Sequence, residues 1–285
     1  MMAILSATNP PAAPTARRAW PTLLAGRSPA VMGVLNVTPD SFSDGGQFIA
    51  PEQALAQAQR MIAEGADIID IGAESTRPYG AQPISTEEEL KRLQPILADV
   101  VSLDVPVSID SMKSAVVAWA LDAGATIAND VWGLQRDRDM AGLLASRGCP
   151  VVLMHNRERA EAGIDIMKDI AEFFSRSLDI AAKAGIAREN IMLDPGIGFG
   201  KTPEQSMIAL ARLDQLAGFG LPLLVGASRK RFISTVAPSE PQRRLGGSIA
   251  AHLIAVRAGA RIIRTHDVYE TVQALRVASA IWDRQ

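Results

Sequence analysis

Short, almost wholly apolar runs recur along the chain at Val31–Val37, Asp67–Ile71, Val105–Ile109, Ala125–Ala128, Pro150–Met154, Ile191–Leu193, Pro222–Val225 and Arg261–Arg264. Between them lie longer stretches with apolar positions every three or four residues, among them PEQALAQAQRMIAEG, TEEELKRLQPILADV, DIMKDIAEFFSRSLDIAAKAG and PEQSMIALARLDQLAG. The first kind predicts strands buried on both faces, the second amphipathic helices. Several helical stretches open on Pro, Thr or Asp and close on Gly, as helix ends require. Strand–helix alternation predicts a parallel sheet with right-handed crossovers. Eight such units closing on one another give an α/β single domain, a (β/α)8 TIM barrel of about 250 residues, placed here at residues 21–285. An open doubly wound sheet would carry a GxGxxG turn after its first strand, where this chain has NVTPDSFSDGG.

Composition narrows the class. The 285 residues are 48% hydrophobic and 21% charged, with a net charge of −2, so no basic field points to nucleic acid. The single cysteine, Cys149 in GCPVVLM, reads as a small core hydrophobe and fits a reducing, cytoplasmic setting. No apolar run reaches the roughly 18 residues of a membrane span, so no membrane partner is expected. Residues 1–20, broken by prolines, read as a flexible tail rather than a signal peptide.

Catalytic side chains of such barrels come from the C-terminal ends of the strands. Those positions hold Asn36, Glu74, Thr76, Arg77, Asp110, Asn129, Asp130, His155, Asp194, Ser228, Lys230, Arg264, His266 and Asp267. Asp130 and Asp267 read equally well as helix caps, and Glu74 as a brace for a neighbouring loop. Asn36, Asp110, Asn129 and Asp194 close four separate strands at one rim, and burying that many polar groups is costly without a ligand. Asp110, Asn129 and Asp194 suit a flat heterocycle with an NH2–C–NH edge, because a carboxylate accepts two parallel N–H bonds. Lys230, Arg264 and His266 follow strands seven and eight, where barrels often bind phosphate. Asn36 and nearby oxygens suit a magnesium ion, which uses few protein ligands.

The stretch IMLDPGIGFGKT is no Walker loop, because the position that should be glycine is Pro195. Asp194 is its chemical residue; the glycines would let ligands approach, and Lys201 reads as a solvated helix-start lysine. The loops at about 38–50 and 74–86, rich in Gly, Ser, Pro and Asp, read as lids over the rim.

The segments VMGVLNVTPDSFSDGG, GAESTRP, VSIDS, IND, LDPGIGFGK, LLVGASRK and IIRTHD resemble the dihydropteroate synthase family, in order and at suitable spacing, from about residue 22 to 282. The resemblance implies the joining of 6-hydroxymethyl-7,8-dihydropterin diphosphate to 4-aminobenzoate, giving 7,8-dihydropteroate and diphosphate. It implies that Asp110, Asn129, Asp194 and Lys230 hold the pterin, that Asn36 helps bind Mg2+, and that Thr76, Arg264 and His266 approach the diphosphate. Ser228 and the loops around Phe42, Arg77 and Phe199, with Gly226, would border the substrates. Asp110, Asp194, Lys230, Arg264 and His266 are the expected catalytic set. The chain departs from the family pattern at Ala73, at an extra Tyr79, and in LMHNRERAEAG after strand five.

The expected chemistry is a dissociative substitution without a covalent enzyme intermediate. Two alternatives share the acceptors: a pterin-binding methyltransferase serving a corrinoid, and a non-catalytic pterin-binding barrel. The family resemblance also suggests a homodimer through the last helices, whose apolar residues Ile249, Leu253 and Val256 could equally pack within one chain.

Overall fold

Eight parallel strands close into a barrel in the order β1-β2-β3-β4-β5-β6-β7-β8. The computed structural model describes residues 20–25, 29–37, 51–74 and 83–284. The strands are β1 Ala30–Asn36, β2 Ile68–Gly72, β3 Val107–Asp110, β4 Ile127–Asp130, β5 Val151–Met154, β6 Ile191–Asp194, β7 Leu223–Val225 and β8 Ala260–Thr265. Each lies on or within a residue or two of its expected run. The helices are α1 Trp20–Leu23, α2 Pro51–Ala63, α3 Thr86–Leu93, α4 Leu97–Val101, α5 Ser114–Asp122, α6 Met140–Arg147, α7 Ile166–Ala184, α8 Pro203–Ala211, α9 Arg231–Val236, α10 Leu245–Arg257 and α11 Val268–Trp282.

Two expected helices are shorter than their patterns. TEEELKRLQPILADV divides into α3 and α4 around Pro95, which has no N–H to continue the ladder. PEQSMIALARLDQLAG leaves the α-helix at Arg212 and continues as 3-10 turns over Leu213–Phe219. The starts are chemically explicit. Thr202 and Gln205 form a reciprocal capping box on α8, and Asp165 accepts from Met167 and Lys168 at the start of α7.

Among the described residues the buried apolar side chains form three clusters, the smallest being Val131, Met154 and Phe199 under the rim. A large cluster fills the space between strands and helices and includes Cys149, fully buried as expected. A smaller one fills the barrel itself: Ala30, Met32, Ile68, Ile127, Val152, Met192, Leu224 and Ile262. Trp20 and Leu24 pack onto it, and the Trp20 indole donates to Val151 O (3.3 Å) at the entry of β5. The floor of the barrel is therefore sealed by α1. Trp20, read from sequence as the last residue of a tail, belongs to the core; residues 1–19 lie outside the described residues.

Candidate active site

Side chains two apart on a strand share a face. Moving two residues up from the apolar barrel filling gives the polar ceiling: Ile68 leads to Asp70, Ile127 to Asn129, Val152 to Met154, Met192 to Asp194, Leu224 to Gly226 and Ile262 to Arg264. A cleft of about 300 Å3, partly open to solvent, stands on that ceiling. Its lining is Asp110, Asn129, Val131, Met154, Asp194, Ile197, Phe199, Gly226, Lys230 and Arg264. Seven expected site residues thus meet in one hollow: Asp110, Asn129, Asp194, Phe199, Gly226, Lys230 and Arg264.

Arg264 organises the ceiling. Its Nε donates to Asp70 Oδ2 (2.6 Å) and an Nη to Asp110 Oδ2 (2.7 Å), while the Asn129 amide also donates to Asp70 Oδ2 (3.2 Å). Burial opposes the guanidinium charge, but Asp70 and Asp110 outweigh it and hold Arg264 firmly protonated. Asp70 was not singled out from the sequence, because it sits inside the β2 run rather than at its end. The available signal was a carboxylate in a wholly buried strand, which needs a partner. The second oxygens of Asp70 and Asp110 and the amide oxygen of Asn129 are buried without a hydrogen bond. Burial, aided by the charges of Asp70 and Glu89, raises the Asp110 pKa despite Arg264. Burial also lifts Asp194 to about 6, against the pull of the Gly196 N–H, Arg264 and Lys230.

After β6 the chain turns sharply. Gly196, Gly198 and Gly200 have φ of +63°, +82° and +53°, a region open to glycine at little cost. A Cβ on Gly196 would overlap the His155 carbonyl, and one on Gly200 the backbone of Arg157. The close approach made by these two glycines is thus to the loop after β5, not to a ligand; Gly198 faces the Lys230 side chain. The Gly196 N–H donates to Asp194 Oδ1 (2.7 Å), which leaves Oδ2 for the cleft. Phe199 lies against Lys230, whose Nζ is 3.9 Å from the ring centroid.

Lys201 overturns its expectation. It is buried, not solvated, and its Nζ bonds His155 Nδ1 (2.6 Å), Gly196 O (2.9 Å) and Phe199 O (3.1 Å). Burial draws its pKa down to about 7. His155 is turned away from the cleft, toward Lys201 and Asp169.

At strands seven and eight, Arg229 takes φ +58°, rare for a non-glycine residue, and its guanidinium pairs with Asp267. Asp267 stands at the start of α11 but makes no side-chain cap there, so pairing rather than capping is its role. Asp130 accepts from the N–H groups of Trp132 (2.9 Å) and Leu134 (2.6 Å), shaping the loop after β4. Glu74 accepts from Ile84 N and pairs with Lys113, a brace as expected. Ser228 Oγ meets the His266 backbone N–H (3.2 Å) and its Nδ1 (3.0 Å). Both residues stand beside the cleft rather than in its lining. Burial, then the charges of Arg264, Arg229 and Lys230, lower the His266 pKa to about 3. In the free protein burial and these neighbouring charges therefore keep the His266 ring neutral.

Asn36 ends β1 beside Gly72 of β2 and is half-buried. Among the described residues no three His, Cys, Asp or Glu side chains gather as a metal site. One amide oxygen with water and ligand oxygens completing the shell is a donor set that suits Mg2+. Thr76, Arg77, Phe42, Tyr79 and most of both expected lids lie outside the described residues.

Comparison with known proteins identifies the family. The sequence pattern of the family described as pterin binding enzyme matches residues 32–266. The chain is 42% identical over 255 residues to dihydropteroate synthase of Bacillus subtilis strain 168, covering 89% of each chain. It is 43% identical to that of Escherichia coli K12, covering 88% of this chain and 91% of the relative. It also matches a probable bifunctional folylpolyglutamate synthase/dihydropteroate synthase of Haloferax volcanii at 45% identity, spanning 31% of that longer protein. The dihydropteroate synthase of Clostridium difficile, crystallised in the presence of pteroic acid, superposes with a TM-score of 0.86 at 45% identity, covering 90% of this chain and 98% of the other.

Proposed function

Because the chain belongs to the pterin-binding enzyme family and works as a dihydropteroate synthase, we propose how its cleft carries out that condensation. The orphaned acceptors are the observation that carries the reading: buried oxygens of Asp110 and Asn129 without partners, with Asp194 Oδ2 beside them. Water-poor acceptors on one wall call for a ligand with a row of N–H donors. The dihydropterin ring supplies that row. Lys230 and Arg264 border the same hollow, where they would meet the ring oxygen and the diphosphate.

The reaction breaks a C–O bond at the methylene and forms a C–N bond there. Negative charge grows on the departing diphosphate, where Arg264 supplies fixed positive charge and His266 a neutral N–H. The amine lone pair of 4-aminobenzoate forms the new bond, and its surplus proton passes to solvent. Asp110 and Asp194, beside the ring, stabilise the cationic character left on it. Asn36 would hold Mg2+, which neutralises charge on the leaving group when bound. Every group the substitution needs is accounted for without a protein nucleophile. Phe199 borders the aminobenzoate end with Ser228 beside the cleft, and Gly226 keeps the floor low beside Arg264.

A cytoplasmic homodimer completes the reading. Ile254, Tyr269, Val277 and Ile281 are exposed on α10 and α11, where a second copy would cover them. Leu253 and Val256 pack partly against their own core, while Ile249 is half-buried. Among the described residues, no helix is long and apolar enough to cross a membrane.

The deciding assay mixes purified protein, Mg2+, pterin diphosphate and 4-aminobenzoate. Diphosphate release that depends on the amine is expected. Release without it, or methyl transfer from a folate instead, would overturn the proposal.

A further inference from the structure

A chain of buried polar groups stands behind the turn that follows β6. The three protons of the Lys201 ammonium meet three acceptors: Gly196 O, Phe199 O and His155 Nδ1. A ring nitrogen that accepts from an ammonium carries no proton, so the His155 proton is on Nε2, 2.9 Å from Asp169 Oδ2. The other Asp169 oxygen accepts from Arg157 (2.7 Å), and Arg157 reaches Glu161 (2.5 Å). Lys201, His155 and Asp169 are absent from the cleft lining, so none of them meets a substrate there.

What the chain grips is the turn itself. Gly196 and Phe199 bracket it and are joined to each other by Phe199 N donating to Gly196 O (3.0 Å). The same lysine therefore fixes both ends of a four-residue segment against the loop after β5. That segment presents the Phe199 ring to the cleft and to Lys230. A buried lysine is costly unless its protons are hydrogen-bonded, as these three are, and here burial draws its pKa to about 7, opposed by the charges of Asp194 and Asp169.

We propose that Lys201 is a positioning residue for the aminobenzoate site: by pinning the carbonyls of Gly196 and Phe199, it sets the ring wall against which the arylamine is aligned for attack. The inference rests on Phe199 being that wall. A ring displaced by a fraction of its width misaligns the amine while leaving in place the pterin acceptors Asp110 and Asn129, which stand on strands and make no bond to the turn.

The test uses the full chain, Mg2+ and both substrates, with Lys201→Met, Phe199→Ala and the double variant. K201M is expected to raise the KM for 4-aminobenzoate about tenfold or more, with pterin diphosphate affinity by calorimetry kept within about threefold. Adding K201M to F199A should raise the KM no further than F199A alone. Should K201M not fold, Lys201→Gln keeps two of the three N–H donors on a shorter side chain and should give an intermediate KM. An unchanged KM in K201M or K201Q, or effects that multiply in the double variant, overturns the positioning role. If F199A alone leaves the aminobenzoate KM unchanged, the wall assignment fails first and takes the proposal with it.

Discussion

Asp194→Asn changes the recognition wall without changing its size. In the native protein the Gly196 N–H holds Asp194 Oδ1 at 2.7 Å. An asparagine would keep its one oxygen on that N–H, which forces its NH2 toward the cleft. There it would confront the N–H row of the pterin instead of accepting from it. Losing one charge-assisted bond costs about 1.5–3 kcal/mol, and leaving a buried N–H against another donor about 1–3 more. The lower bounds alone sum to about 2.5 kcal/mol, an affinity loss of at least about fiftyfold. Stability should move the other way. Burial raises the Asp194 pKa from 3.8 to about 6, a folded-state penalty of roughly 3 kcal/mol at neutral pH that a neutral amide does not carry. Calorimetric titration with pterin diphosphate, paired with a thermal melt, reads both effects. Pterin affinity within about threefold of native would refute the acceptor role, and lost binding accompanied by a lower melting temperature would assign Asp194 to structure instead.

Other outcomes can be stated briefly. Because Asp110 and Asp194 bind as carboxylates and burial raises them to about 7 and about 6 in the free protein, pterin affinity should be highest at alkaline pH and weaken progressively as the pH falls through that range; a flat profile counts against the assignment. Gly196→Ala combines φ +63° with a Cβ that overlaps the His155 carbonyl, and should cost more than the roughly 1–3 kcal/mol of the dihedral alone, read by urea unfolding. Both ring nitrogens of buried His252 lack partners and its pKa is lowered by burial from 6.5 to about 4. The unfolded chain therefore takes up that proton first, and stability falls from pH 6.5 down to about 4; His252→Leu should shrink the stability difference between pH 8 and pH 5 by about 2 kcal/mol. Trp20→Ala should lower stability by about 3–5 kcal/mol in the same unfolding assay.

The barrel and the rim were legible for one reason. Strands buried on both faces have nowhere to hide polar residues except at their ends, so Asp110, Asn129, Asp194 and Arg264 stood out against apolar runs. Asp70 did not, since a strand interior looks structural until the partner 194 residues away is known. Lys201 was misread for a related reason. Gly-Lys-Thr ahead of a helix has the local look of solvent exposure, while its burial is fixed by His155, 46 residues earlier. The protonation state of His266 was also beyond local reading, because it depends on Arg229, Arg264 and Lys230 gathering around it. Periodicity reports which way a side chain points; it says nothing of who is waiting there.

The apolar filling of the barrel, with the Trp20 indole packed beneath it, makes the site a cup with a solid base. Traffic through such a vessel is confined to one mouth: reactants descend and products climb out past the same lip.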